Sequence, residues 1–262
     1  MNASTEQTSS ENAEPLEEGT LLSHLVELRS RLLKVALAVV GIFILLLPFS
    51  SEIFSIASKP LLAVLPGGRM IATAPASPLI APFKMTFYIA IFLAMPVVLY
   101  QVWAFIAPGL YRKEKRFAVP LLGTSILLFY AGIAFAYFVV FPLIFGFFTQ
   151  IAPADVEVQP DISEFLSFIV TIVFAFGLAF EVPIATVLLV WTGLVSRKKL
   201  ASARPYVFLG AFVIGMFLTP PDVISQTLLA VPVYLLYELG ILMSRVVASD
   251  NEEDSAAGGA EK

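Results

Sequence analysis

The 262-residue sequence contains no cysteine and one histidine, His24. These absences exclude a disulfide framework, a thiolate metal site, a cysteine nucleophile and a multi-histidine metal centre, and they argue against a Ser-His-Asp hydrolase. Charge is scarce as well. Charged residues make up 14% of the chain and apolar ones 58%, against about 25% and about 45–50% in a typical soluble domain. With 23 Phe and a mean hydropathy of +0.89, too few polar residues remain to cover a water-exposed globule. The chain reads as an integral membrane protein. Its acids gather at the ends: residues 1–18 hold five Glu and no base, and residues 249–262 hold five acids and one Lys. The interior carries 15 bases and 10 acids, so the pI of 5.1 conceals a cationic body. We expect acidic disordered tails at 1–18 and 249–262 around a membrane domain at 19–248.

A helix that crosses the hydrocarbon core, about 30 Å thick, needs about 20 apolar residues. Six runs qualify or come close: 32–49, 83–107, 119–148, 165–195, 206–219 and 223–243. They are too long and continuous for the alternating strands of a barrel. The first follows a polar, acidic stretch with no small-residue cleavage pattern, so it reads as a retained span rather than a signal peptide. Thirteen Lys and Arg fall on one side of these spans, while Lys59, Arg69 and Lys84 alone fall on the other. The positive-inside bias then puts both termini in the cytoplasm, as six spans require. The lengths are uneven. The fifth run has 14 residues between Pro205 and Pro220, about 21 Å at 1.5 Å per residue. The third has 30, about 45 Å if straight, and has to tilt, bend near Pro142 or project. Pro96, Pro183 and Pro232 interrupt other spans and free backbone carbonyls there. An all-α bundle with a concave wall fits these lengths.

Leu21, Leu25, Leu28 and Leu32 recur at helical spacing, opposite Ser23, Glu27, Ser30, Arg31 and Lys34. That amphipathic pattern predicts a helix along the cytoplasmic interface that turns into the first span. Glu27 and Arg31 are an i,i+4 pair, readable either as a surface ion pair or as a carboxylate held to meet a cationic ligand. In YRKEKR, Tyr111 to Arg116, the bases satisfy the positive-inside rule but Glu114 does not follow from it. It either relieves repulsion among four cations or accepts an incoming guanidinium. Three further acids lie in apolar surroundings, and such acids are functional candidates: Glu181 ahead of Pro183, Asp222 where it caps the sixth helix, and Glu238, placed to snorkel or pair with Arg245. Gln226 adds an amide to the sixth span.

Several of these residues belong to longer motifs that resemble the TatC family. The motifs are HLVELRSR at His24 to Arg31, LYQVWAFIAPGLYRKEKR at Leu99 to Arg116, FAYFVVFPL at Phe135 to Leu143, AFEVP at Ala179 to Pro183, RPY at Arg204 to Tyr206 and LTPPDVISQ at Leu218 to Gln226. The resemblance covers roughly residues 19–248. It implies a six-helix, glove-like concave protein with short fifth and sixth helices, non-enzymatic and without cofactor or metal, in the bacterial inner membrane. The implied role is the multi-spanning receptor of the twin-arginine translocase, driven by the protonmotive force. Its partners would be TatA, TatB, membrane lipid and folded precursors with twin-arginine signal peptides, in a hetero-oligomer of several copies, with no nucleic acid. Family positions matching Glu27 and Glu114 bind the paired arginines; Leu28, Arg29, Arg31 and Phe105 match positions near that site. Pro60 matches a substitution-sensitive position, Glu181 the polar residue of the membrane cavity, and Asp222 and Gln226 its periplasmic end. The competing reading is a proton-coupled small-molecule transporter using Glu181. An intramembrane enzyme lacks a nucleophile–base or metal set.

Overall fold

A computed structural model describes residues 16–64, 69–106, 115–151, 159–218 and 222–259, with side chains inside 25–245 except residues 60, 61, 64, 106 and 115–118. Every regular element among them is a helix. The amphipathic start does not turn at the interface: a single helix, α1 (Leu16–Leu46), carries it into the first span. The expected turn lacks a breaker, since neither Gly nor Pro occurs between Thr20 and Lys34. Pro48 ends α1 in a 3-10 turn, Leu47–Phe49, and α2 (Ser50–Val64) follows. The second span, α3 (Ser77–Ile106), packs back along α1.

The third span combines α4 (Lys115–Phe135), a π-helical turn at Ala136–Val140 and α5 (Phe141–Ile151). The departure from the α-helix lies just ahead of Pro142, which withholds an N–H from the ladder. The fourth span is α6 (Ile162–Ala179) and α7 (Val182–Trp191), broken at Phe180 and Glu181 just ahead of Pro183. Short α8 (Arg197–Ser202) leads to the fifth span, α9 (Arg204–Leu218), whose 15 residues reach about 22 Å. The sixth, α10 (Val223–Gly259), is not short. Its apolar part, Val223–Arg245, is 23 residues, and the helix runs on to Gly259 through the tail expected to be disordered from 249. Glu252, Glu253, Ala256 and Ala257 there are good helix formers. At the other end α1 begins at Leu16, inside the expected tail, and residues 1–15 and 260–262 lie outside the described residues.

Phenylalanine fills the interior. Phe129, Phe141 and Phe176 are fully buried, and Phe145 and Phe165 pack at 5.9 Å between α5 and α6. Two glycines set the closest approaches. A methyl at Gly132 on α4 would lie 3.0 Å from the Phe176 carbonyl carbon on α6, and one at Gly240 on α10 would lie 2.9 Å from Pro183 Cα on α7. At Gly132 backbone meets backbone, and at Gly240 the Thr186 side chain also seats against the bare Cα, the small-residue packing by which helices associate in lipid.

On the side opposite most of the bases, Asp161 joins two loops. Its carboxylate accepts Thr73 N–H at 2.8 Å and Thr73 Oγ1 at 2.7 Å, and also Ser163 N–H at 2.8 Å, which caps α6. Beside it Ile71 and Asp161 form a parallel bridge, closed by Ile71 N–H to Pro160 O at 3.1 Å and Ile162 N–H to Ile71 O at 2.9 Å. These donors, Thr73 foremost, hold the Asp161 pKa down at about 2. A carboxylate depressed on folding contributes stability above its unfolded value, near 3.9, and loses it as pH falls through the folded value. Asp161→Ala should therefore lower the thermal midpoint in detergent at pH 7, with the gap to wild type closing between about pH 4 and pH 2. A gap independent of pH would assign the loss to something other than the carboxylate.

Candidate functional site

The basic face is organised by the end of α3. The last four carbonyls of a helix have no partner within it, and Ala104 O is one of them. Arg31 Nη2 on α1 donates to that oxygen at 3.0 Å, while Nη1 reaches Gln101 Oε1 at 3.3 Å. A cation at a helix C-terminus also meets the favourable end of its dipole. The rest of the guanidinium turns to Glu27 one helical turn earlier: Nε donates to Glu27 Oε1 at 3.1 Å, and Nη2 bonds the same oxygen. Arg31 is thus largely buried, and Glu27, with a side chain 41% exposed, is tied to it through Oε1. Among the described residues Glu27 Oε2 accepts no hydrogen bond. Phe105 follows the capped carbonyl in sequence and is exposed, as are Leu28 and Arg29. The structure thus brings Glu27, Arg31 and the end of α3 together; Glu114 lies outside the described residues.

A second set of candidates sits within the membrane. An apolar groove of about 660 Å³ opens between α3, α6, α9 and α10, walled by Tyr88, Phe92, Phe174, Ile214, Leu218 and Val233 among others. Leu178, Ala179 and Val182 belong to this wall but Glu181 does not. Its carboxylate instead accepts a hydrogen bond from Ser125 on α4, with Oε1 buried and without a partner among the described residues. At the far end Asp222 caps α10 as expected, accepting Ser225 N–H at 2.7 Å. Gln226 follows where Gly215 lets α9 approach: a methyl there would lie 3.7 Å from Gln226 Cα. Glu238 does not pair with Arg245. Both its oxygens accept from one edge of Arg204, Oε1 from Nε at 2.7 Å and Oε2 from Nη2 at 2.9 Å, because α9 begins directly beside it.

Pro60 has a backbone role in the helix α2. Lacking an N–H, it leaves the carbonyl of Ile56, four residues earlier, without its helical donor. Tyr137, in the π turn of the third span, donates its hydroxyl to that oxygen at 2.9 Å. Sequence reasoning missed Tyr137, Ser125 and Asp161 as partners. Only Asp161 carried a local signal, an acid three residues ahead of Glu164 at a helix start.

With this geometry in place, the similarities of the chain become specific. A family model described as Sec-independent protein translocase protein (TatC) matches residues 23–232. The chain belongs to the TatC family. A TatC protein of Azotobacter chroococcum is 57% identical over 91% of this chain and 94% of its own length. That of Escherichia coli K12 is 56% identical over 86% and 88%. A crystal structure of the twin-arginine translocase receptor TatC superposes with a TM-score of 0.78 at 38% identity, covering 86% of this chain and 99% of that one. The chain is accordingly a translocase component, a multi-pass membrane protein of a non-enzymatic family.

The Pro60–Tyr137 relation predicts a specific coupling. Tyr137→Phe should cost about 1 kcal/mol or less of stability, the usual worth of one partly exposed hydrogen bond. In a Pro60→Ala background residue 60 regains its N–H for the Ile56 carbonyl, and the same substitution should cost measurably less. Equal losses in both backgrounds, read by thermal denaturation in detergent, would refute the assignment.

Proposed function

We propose that the chain is the receptor subunit of the twin-arginine translocase, which captures the paired arginines of a signal peptide at its basic face with Glu27 and Glu114. The observation that carries this reading is the posture of Glu27. One carboxylate oxygen is engaged by an arginine anchored on the end of α3, and the other accepts nothing among the described residues on a side chain that is partly exposed. An incoming guanidinium is permanently charged and offers a planar fork of donors; a carboxylate already tied through one oxygen meets it with less ordering left to do. Arg31 in this scheme positions Glu27, while Phe105 and Leu28 offer apolar surface to the residues that flank the arginines. The relatives named above, with the receptor structure among them, support the same reading.

On this proposal the basic face and both termini are cytoplasmic, as the distribution of Lys and Arg suggests. The partners are TatA, TatB and folded precursors, assembled in several copies in a bacterial inner membrane and driven by the protonmotive force. Nothing in the comparisons supports the competing transporter reading.

Binding of a labelled twin-arginine signal peptide to the protein in nanodiscs tests the assignment. Glu27→Gln should weaken it about 5- to 10-fold, the low end for hydrogen bonds to a charged group because Glu27 is partly exposed. Arg31→Lys should give a smaller loss, since an ammonium cannot span both Glu27 and the α3 terminus. Unchanged affinity in Glu27→Gln would sink the proposal. For Glu181, export should survive Glu181→Gln, which keeps an acceptor for Ser125, better than Glu181→Leu, which strands that hydroxyl in apolar surroundings. Complete loss in both variants would point instead to obligatory titration and revive the transporter.

A further inference from the structure

The Arg204–Glu238 pair lies at the edge of a second concavity, on the basic face and lined by neither Glu27 nor Arg31. It has a volume of about 340 Å³ and is lined by Arg204, Leu235, Glu238, Leu239, Ile241, Leu242 and Arg245. Four features of this lining belong together. Leu235, Glu238, Leu239, Leu242 and Arg245 follow one another at i, i+3, i+4, i+7 and i+10, a single stripe along α10. The three leucines of that stripe are 61%, 44% and 54% exposed, in the part of α10 apolar enough to cross a membrane. Arg204 spends Nε and Nη2 on Glu238, so that acid is neutralised in place, while Nη1 takes no partner among the described residues. Arg245 is exposed and makes no hydrogen bond or ion pair among the described residues.

We propose that this pocket binds an anionic phospholipid, with its phosphate at Arg204 and Arg245 and an acyl chain laid along Leu235, Leu239 and Leu242. The net charge of the lining is positive, and its one acid is already committed, which selects an anionic headgroup over a zwitterionic one. A soluble anion would make no use of the leucines. The apolar stripe continuing directly below the guanidiniums matches the amphiphile instead, as in basic pockets between spanning helices that take lipid headgroups. Depth adds a further point. Arg245 stands seven residues beyond Glu238, about 10 Å along the helix, so Arg204 is rooted deeper than Arg245, whose long side chain reaches back to the same pocket. The shortness of α9 brings its first residue to that depth. A phosphate engaged there draws the headgroup layer down beside α9, where the span of about 22 Å falls short of a core of about 30 Å.

The test uses the full-length protein in phosphatidylcholine nanodiscs doped with phosphatidylglycerol that bears a photoreactive group on one acyl chain. After illumination and digestion, adducts are expected on the peptide holding Leu235 to Leu242. Arg245→Gln should lower their yield about fivefold, the usual worth of one basic residue near an anionic surface. Lys198→Gln removes the same charge from the same face outside the pocket and should leave the yield unchanged. Phosphatidylcholine with the same photoreactive chain should label this peptide several-fold less. Equal losses in the two variants would reduce the effect to diffuse surface charge, and equal labelling by the two lipids would remove headgroup recognition. Adducts confined to other helices would place the lipid elsewhere; each of these three results overturns the proposal.

Discussion

In hydrocarbon there is no water to take up a polar group that the protein leaves unpaired, and each such group costs several kcal/mol. That constraint shapes this molecule wherever its helices depart from regularity. Pro60 orphans the Ile56 carbonyl, and Tyr137 is brought across from another span to take it. Glu181 stands at the break between α6 and α7, and Ser125 of α4 supplies its hydrogen bond. The threonines within spans turn their hydroxyls back onto their own helices, as Thr86 does to Pro82 O at 2.8 Å and Thr124 to Pro120 O at 3.0 Å. In both cases the accepting carbonyl is that of a proline within the helix. The irregular points of the bundle are therefore also its cross-links, and the helices are fixed to one another at the sites where each is weakest.

The basic face obeys the same rule with charge added. A terminal carbonyl of α3 needs a donor, Arg31 provides it, and the remaining edge of the guanidinium aligns Glu27. A surface ion pair at i,i+4 is ordinarily worth a few tenths of a kcal/mol and holds no fixed geometry. Here the third partner removes that freedom, so the spacing of Glu27 and Arg31 is part of a construction that also includes another span.

Much of this was legible in the sequence, and the reason is physical. Length and apolarity are additive along a helix, so the spans and the short fifth helix could be read from the order of residues. Asp222 as a cap follows from local chemistry as well. Partners from distant segments are not local, and there the reading fell short. Glu238 was expected to snorkel or to meet Arg245 two turns along its own helix, but Arg204 arrives from α9. Ser125 is one hydroxyl in an apolar run, with nothing beside it in sequence to mark it as the partner of Glu181. The interfacial turn expected after the amphipathic segment failed because amphipathicity reports which face is wet. It does not report where a helix ends.

The close approach at Gly240 bears on how the protein can move. There the α10 backbone lies against Pro183 Cα and the Thr186 side chain of α7, in space that a Cβ on residue 240 would need. Sliding one past the other by a turn would drive a neighbouring residue's Cβ into backbone that has no room for it. Gly132 places α4 against α6 in the same way. The fourth span is thus gripped from both sides, by the third near its middle and by the sixth toward the basic face, and neither neighbour slides along it without these contacts giving way. Displacement meets least of this resistance at α1 and α2, which take part in neither approach.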